Sequence, residues 1–365
     1  MKVLIDYQIF ETQKYGGISR YFYEISKNLV KNNNIYLNIL AGIHINQYID
    51  ESSETFCIGW KKPNFPHIQR ISHAINESAT NNWIKYKKPD IIHETYYYRD
   101  TKPNHNQKII ITIHDMVYEK FPHYFLDARK TCIQKKAAID RADHIICVSE
   151  NTKKDVIDIY NVPKEKLSVI YHGGPEILLP YSDEKQLFER PYLLFVGQRS
   201  GYKNFSNLLT AFSNSNTLKN NFSLICFGGG GFNSEELLCI KKQNLSDVHI
   251  KQFEGNDNLL NRIYSNAQAF IYPSLYEGFG IPILESMSNS CPVICSNTSC
   301  FPEIAGNAAH YFDPSDPESI MVSIESIVFS QEARKKLIMT GHNSVQKYNW
   351  KTSADSTYSV YQNLL

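Results

Sequence analysis

Among the eight cysteines of this 365-residue sequence, no two stand in C-x-x-C spacing, so zinc and thioredoxin-like chemistry find no support. The thiols lie scattered, mostly in apolar runs such as Ile145-Ile146-Cys147-Val148, and read as free and buried in a reducing compartment. No apolar run reaches the ~18 residues that a membrane span needs. The start, Met1-Lys2-Val3-Leu4-Ile5-Asp6, meets an acid too soon for a signal peptide, so a cytoplasmic protein is expected. Net charge is only +1, too little for a whole-protein field that attracts nucleic acid. Internal repeats and low-complexity segments are lacking, and 3 Trp stand beside 24 Tyr.

What is present is ordinary globular material, 42% hydrophobic and 21% charged, in a chain long enough for two domains. Charge is unevenly divided: residues 1–175 carry 24 Lys and Arg against 19 Asp and Glu. From Lys61 to Lys88 six cations (Lys61, Lys62, Arg70, Lys85, Lys87, Lys88) face the single acid Glu77. Such a half suits peripheral contact with an anionic membrane, at its inner face; a solvated face is the plainer alternative.

Short β-branched runs alternate with helical patterns along residues 1–175, and after a loose Pro- and Ser-containing stretch the alternation restarts. The expected division is an N-terminal domain 1–175, a linker 176–191, a C-terminal domain 192–348, and a helix 349–365 crossing back. Near-continuous apolar strands between helices mean parallel sheets covered on both faces. The fold class expected is therefore α/β, two doubly wound Rossmann-like domains facing across a cleft, with ligands at the carboxyl ends of the strands.

Tyr276-Glu277-Gly278-Phe279-Gly280-Ile281-Pro282-Ile283-Leu284-Glu285 follows an expected strand, Ala269–Tyr272, and leads into an expected helix. The glycines allow close backbone approach to a ligand, and the helix start offers free N–H groups to an anion. Glu277 on the loop can accept bonds from sugar hydroxyls, and Glu285 stands where an acid can hold a ribose. A capped turn with two surface acids is the ordinary alternative, but it leaves the G-F-G between them unexplained.

This strand, the E-G-F-G, the second Glu eight residues after the first, and Cys291-Pro292-Val293-Ile294 resemble the E-x7-E signature of the retaining glycosyltransferases of family four. The resemblance extends over nearly the whole chain. It implies the GT-B fold and transfer from a nucleotide diphosphate sugar as co-substrate with retention, without cofactor or obligatory metal. It also implies that Glu277 contacts donor sugar hydroxyls and Glu285 the ribose, with Gly278, Phe279, Gly280 and Ile281 against the donor.

In Val196-Gly197-Gln198-Arg199-Ser200-Gly201-Tyr202-Lys203, two cations lie four residues apart before a helix, suited to a leaving diphosphate that gains charge. They resemble the family's Arg-and-Lys clamp, although Gln198 stands where the Arg commonly follows the glycine. Solvated surface cations are the alternative. Tyr15-Gly16-Gly17-Ile18-Ser19-Arg20-Tyr21 is a weaker anion site at a helix start, and the resemblance carries Gly16 and Gly17 to the donor phosphates. His114, at the end of the strand Lys108–Ile113, matches a family His near the reacting sugar; a structural His is the alternative.

Ser149-Glu150-Asn151-Thr152 reads first as an N-cap. Gly228-Gly229-Gly230-Gly231 fails the G-x-G-x-x-G spacing, because Asn233 stands in the third place, and reads as a permissive loop near the nucleotide. Gln252 and Phe253 are candidates for lining the base pocket through their backbone. Tyr96-Tyr97-Tyr98 offer stacking faces for an acceptor, or ordinary packing.

Glu277 and Glu285 also permit a glycoside hydrolase; a sugar phosphorylase or nucleotide-sugar epimerase, and a silent nucleotide-sugar-binding protein, stay open as well. The Tyr-, Asn- and Lys-rich composition and the G-G-I-S-R-Y start resemble bacterial surface-polysaccharide enzymes. That likeness implies a GDP- or UDP-sugar donor, with GDP-mannose favoured, and a saccharide or lipid-linked saccharide acceptor in lipopolysaccharide or capsule assembly.

Overall fold

A computed structural model describes residues 1–32, 34–63, 68–98, 106–175, 187–199 and 201–365; for 68–70 only the backbone is described. Residues 176–186 of the expected linker, Ser200, and the Arg70 side chain fall outside this set. The chain divides into two compact units, Met1–Gly173 with Asn349–Leu365, and Gly174–Tyr348.

The first unit runs β1 (Lys2–Ile5), α1 (Gly17–Leu29), β2 (Tyr36–His44), β3 (Cys57–Lys61), α2 (Ile68–Lys87), β4 (Ile91–Glu94), β5 (Lys108–Ile113), α3 (Ala128–Arg141), β6 (His144–Cys147), α4 (Glu150–Tyr160) and β7 (Leu167–Val169). Its strands are all parallel in the order β3-β2-β1-β4-β5-β6-β7. The run Lys108–Ile113 shows why: every residue after the first is buried, as a strand covered on both faces requires.

The second unit runs β8 (Tyr192–Val196), α5 (Phe205–Asn214), β9 (Ser223–Phe227), α6 (Ser234–Lys242), β10 (Ile250–Phe253), α7 (Asp257–Asn266), β11 (Ala269–Tyr272), α8 (Ile281–Ser288), β12 (Val293–Ser296), β13 (Ala309–Phe312), α9 (Pro317–Val328) and α10 (Gln331–Val345). Its strands are parallel in the order β10-β9-β8-β11-β12-β13. α5 carries Phe205, Leu208, Leu209 and Phe212 at helical spacing, and these bury against Leu193 and Phe195 of β8. α11 (Trp350–Leu364) belongs to the first unit, where Ala354 and Tyr361 join Tyr21, Phe22 and Ile25 of α1 in the core.

In both sheets the order of strand addition reverses between the first and fourth strands: β1 lies beside β4, and β8 beside β11. At such a switch point the connections leave on opposite sides and open a crevice at the carboxyl edge.

The strand Cys57–Lys61 and the helix Ile68–Lys87 are not anticipated by the sequence pattern. α2 turns polar residues inward, so it shows no apolar stripe toward the sheet. Ser72, Asn76 and Thr80 are buried, with Asn76 Oδ1 accepting from Ile43 N at 2.7 Å and its Nδ2 donating to Ile43 O at 3.1 Å.

Candidate active site

Lys203 follows β8 and Glu277 follows β11, so the sheet order brings them to the two lips of the second unit's switch point. Lys203 Nζ lies 2.6 Å from Glu277 Oε1, with the two side chains 17% and 13% exposed. The ammonium also lies 5.7 Å from the ring centroid of Tyr272 and 5.2 Å from that of Tyr202, within cation–π range. Burial first, and Glu277 next, hold the Tyr272 hydroxyl well above its usual range, so it stays protonated and serves as a donor.

The loop that carries Glu277 is fastened from both sides. Leu275 N donates to Tyr202 O at 2.8 Å, and Asn204 Nδ2 donates to Pro273 O at 3.0 Å and Pro314 O at 2.7 Å. From β12's side, Thr298 Oγ1 donates to Leu275 O at 3.1 Å. Ser299 Oγ accepts from Glu277 N at 3.2 Å and donates to Glu277 O at 2.6 Å. Such fixing on three adjacent strand ends holds a carboxylate in one place before any ligand arrives.

Gly280 closes the loop as N-cap of α8 with φ +88°, a conformation that favours glycine, and Pro282 stands in the helix's first turn. Gly278, Phe279 and Gly280 are buried and Ile281 half-buried, with Phe279 edge-on to Tyr348 at 5.9 Å. Glu285, half-buried one turn into α8, accepts from Tyr264 Oη at 3.3 Å. The first-turn amides and the positive end of α8 thus sit beside the Lys203–Glu277 pair, an arrangement suited to a diphosphate and its sugar.

Arg199 requires a correction. It is not presented to a diphosphate, because its guanidinium is already committed within the protein. Nε donates to Glu236 Oε1 at 2.9 Å, Nη1 to Gly228 O at 2.8 Å, and Nη2 to Gly230 O at 2.7 Å and Gly231 O at 3.1 Å. The side chain is 1% exposed and lies over the Phe232 ring at 4.9 Å. Gly228, Gly229 and Gly230 have φ of +81°, +75° and +74°, and a Cβ on Gly229 would lie 2.7 Å from Gly197 O. The glycines let the loop curl until its carbonyls converge on the guanidinium, so Arg199 is a strap for this loop.

Gln252 and Phe253 end the edge strand β10; Phe253 O accepts from Gly228 N at 2.8 Å and from Gln252 Nε2 at 3.0 Å.

In the first unit, Gly16 is extended (φ 176°) and a Cβ there would strike the Gln13 side chain at 2.4 Å. Gln13 Oε1 accepts from Ser19 N at 3.2 Å, so one amide of α1's first turn is already capped. Gly17 begins α1. Ser149 is an N-cap, accepting from Thr152 N at 3.0 Å. His114 follows β5, buried and stacked on His172 at 5.6 Å, and its Nε2 has no hydrogen-bond partner among the described residues. Burial, then His172, His93 and Lys135, holds its pKa well below the usual range, so the ring is neutral.

Two more buried rings make the first unit sensitive to acid. His93 bonds Tyr361 Oη at 2.7 Å and Thr112 Oγ1 at 2.8 Å, and burial pushes both His93 and His172 down to about 3. An unfolded His titrates near pH 6.5, so between these values the unfolded chain binds more protons. Stability is therefore complete above about pH 6.5 and declines as pH falls toward 3, by about 1.4 kcal/mol per pH unit for each ring. Urea unfolding at pH 7 and pH 5 should show a shallower decline for His93→Gln; an equal decline contradicts this account.

Asn204, Thr298 and Ser299 were missed from the sequence. Asn204 had a signal, as an Asn directly before a helix after a candidate cation. Ser299 had none, because its role exists only where β12 lies beside β11.

With this geometry in view, comparison with known proteins decides the family. Residues 15–173 match Glycosyltransferase Family 4, and residues 182–344 match Glycosyl transferases group 1. The chain belongs to the family-four glycosyltransferases of the GT-B fold. Similar relatives include the O-antigen chain mannosyltransferase B of Escherichia coli, 27% identical over 71% of this chain and 71% of that protein. Another is the O-antigen chain mannosyltransferase RfbU of Salmonella typhimurium, 30% identical over 66% of this chain and 65% of that one. Anabaena HepE, solved in complex with UDP-glucose, shares the fold at TM-score 0.76 and 14% identity, covering 99% of this chain and 100% of its own. In this glycosyltransferase Glu277 stands on the loop before α8, and Glu285 within α8.

Proposed function

We propose that this glycosyltransferase is a retaining, metal-independent hexosyltransferase. It moves mannose from a nucleotide diphosphate sugar to a saccharide or lipid-linked saccharide of a bacterial surface polysaccharide, with GDP-mannose the favoured donor over a UDP-sugar. The observation that carries this reading is the Lys203–Glu277 pair at the switch point, beside the amides of α8. The names of the two mannosyltransferase relatives support the sugar and the pathway.

In this reading Lys203 supplies a point charge to the leaving diphosphate as the bond from sugar C1 to phosphate oxygen breaks. Glu277 accepts from the sugar hydroxyls and holds the ring, and Glu285 accepts from the ribose. The acceptor oxygen bonds to C1 on the face that the diphosphate leaves, and its proton passes to the departing phosphate oxygen. The backbone of Gln252 and Phe253 lines the base. The roles of Gly16, Gly17 and His114 rest on the family resemblance. A hydrolase reading leaves the Lys203–Glu277 pair and the helix start beside it without a role.

Thermal-shift measurements with UDP, GDP, ADP and their sugar conjugates test the donor site. A ligand at 100 times its Kd adds about 2.7 kcal/mol, which raises Tm by several degrees. GDP and GDP-mannose are expected to give the shift. A shift with UDP alone replaces the base, and no shift with any nucleotide ends the transferase reading for this site.

A lipid-linked acceptor also implies contact with an anionic membrane, and α2 is suited to it. Ile71, Ala74, Ile75 and Ala79 point outward, with exposed Lys85 and Tyr86 on the same face in the last turn. No helix among the described residues is long and apolar enough to cross a membrane. The Ile71→Asp, Ile75→Asp double variant should bind phosphatidylglycerol vesicles about tenfold more weakly in a flotation assay. Equal binding removes α2 from this role.

A further inference from the structure

β11 ends on a tyrosine where packing alone asks for an apolar side chain. Ala269 and Ile271 belong to the core with Leu193, Phe205 and Leu208, so by strand alternation Phe270 and Tyr272 face the other side of the sheet. Tyr272 is 1% exposed, and a phenol buried so far needs a partner for its hydroxyl.

That partner is Glu277. The hydroxyl donates to the Glu277 carboxylate, which Lys203 Nζ meets through Oε1 at 2.6 Å. The same ring serves the ammonium, whose Nζ lies 5.7 Å from its centroid. A third contact reaches the turn: a Cβ placed on Gly280 would stand 3.7 Å from Tyr272 Cε1 and 3.6 Å from Phe301 Cε1. One side chain therefore touches both charges of the pair and lies against the glycine that opens α8.

The ring itself has little freedom. It packs on Phe270 at 5.2 Å and edge-on to Phe301 at 5.1 Å, at the end of a strand that β8 and β12 flank. Lys203 and Glu277 differ, because long charged side chains lose the most rotamer freedom when they are fixed. The bonds from Ser299 and Thr298 hold only the backbone of the Glu277 loop. Joined to each other alone, the ammonium and the carboxylate could shift together. A third group already fixed by packing removes that freedom and leaves the carboxylate one orientation before the donor arrives.

We propose that Tyr272 is the positioning residue for the donor-sugar carboxylate, its hydroxyl selecting the orientation of Glu277 and its ring face seating Lys203. This role rests on the transferase reading of the pair; the bond from hydroxyl to carboxylate does not.

Tyr272→Phe keeps the ring and deletes the hydroxyl, and the full chain is assayed by consumption of GDP-mannose and of UDP-glucose. With the donor that the wild type consumes, the variant should be about tenfold slower, the worth of one hydrogen bond to a charged group. GDP and UDP should bind as before by thermal shift, since neither carries the sugar that Glu277 holds. In the Glu277→Ala background the same substitution should change the rate by less than about twofold. Equal rates for wild type and Tyr272→Phe overturn the proposal, as does an equal loss of nucleotide affinity. So does the same loss of rate repeated in Glu277→Ala, which marks a packing role.

If the wild type consumes neither donor, the transferase reading falls, and urea unfolding still reads the contact. Tyr272→Phe should lower the midpoint of the wild-type chain by about 0.5 M and leave that of Glu277→Ala unmoved. Such a coupled shift upholds Tyr272 as the anchor of the carboxylate and overturns the transferase reading alone. Equal shifts in both chains overturn the anchor.

Discussion

Lys203→Ala is expected to lower kcat by about 10²- to 10³-fold, the size of effect seen when one fixed donor to a developing charge is removed. The leaving diphosphate gains negative charge as the sugar bond breaks, and the Lys203 ammonium is already positioned where β8 ends, held by Glu277 at 2.6 Å. A pair preorganised in this way loses little by reorganising during the reaction. Glu277→Ala should fall as far, because it removes the contact to the sugar and releases Lys203 together. The double variant should then be scarcely worse than either single one, since the two residues act as a unit. Glu277→Gln separates the effects by keeping the shape of the hydroxyl contact while giving up the ion pair. Steady-state rates of donor consumption measure all four. Near-normal turnover in both single variants, or fully additive losses, would remove the pair from the mechanism.

Arg199→Ala is expected to cost about 3–5 kcal/mol of stability, the penalty for breaking a buried ion pair from one side. It leaves Glu236 without its cation and the carbonyls of Gly228, Gly230 and Gly231 without their donor. Lys is a poor substitute, since one ammonium cannot reach a carboxylate and a curl of carbonyls together. Urea unfolding of Arg199→Ala and Arg199→Lys measures the loss directly. Two accounts of Arg199 are separated here. A phosphate clamp predicts native stability with weakened nucleotide binding, whereas a strap predicts the reverse order of effects. Full stability in Arg199→Ala would contradict the packing described above.

Much of this was legible because it is local. The alternation of apolar runs and helical patterns specifies parallel sheets, since a strand covered on both faces must be apolar throughout. β5 and β11 show it residue by residue. The E-G-F-G turn was visible because glycine is required where Gly280 takes φ +88°. α2 was hidden because it reverses the usual polarity, fastening Asn76 to Ile43 and leaving Ile71 and Ile75 outside. Arg199 was misplaced because a cation beside a glycine reads alike whether its fork meets a ligand or the protein's own carbonyls.

The sequence by itself therefore determined the fold class, the family, and the residues Lys203, Glu277 and Glu285 as the candidates worth testing. Tertiary structure decided which of these meet. Lys203 and Glu277 are separated by 74 positions, and they pair because the order β9-β8-β11 sets their strand ends side by side while two strands between them in sequence lie off to one flank. The same long-range order fastens Ser299 to Glu277 and turns Arg199 inward onto four glycines. Contacts of this kind depend on sheet order, which spacing along a chain does not encode.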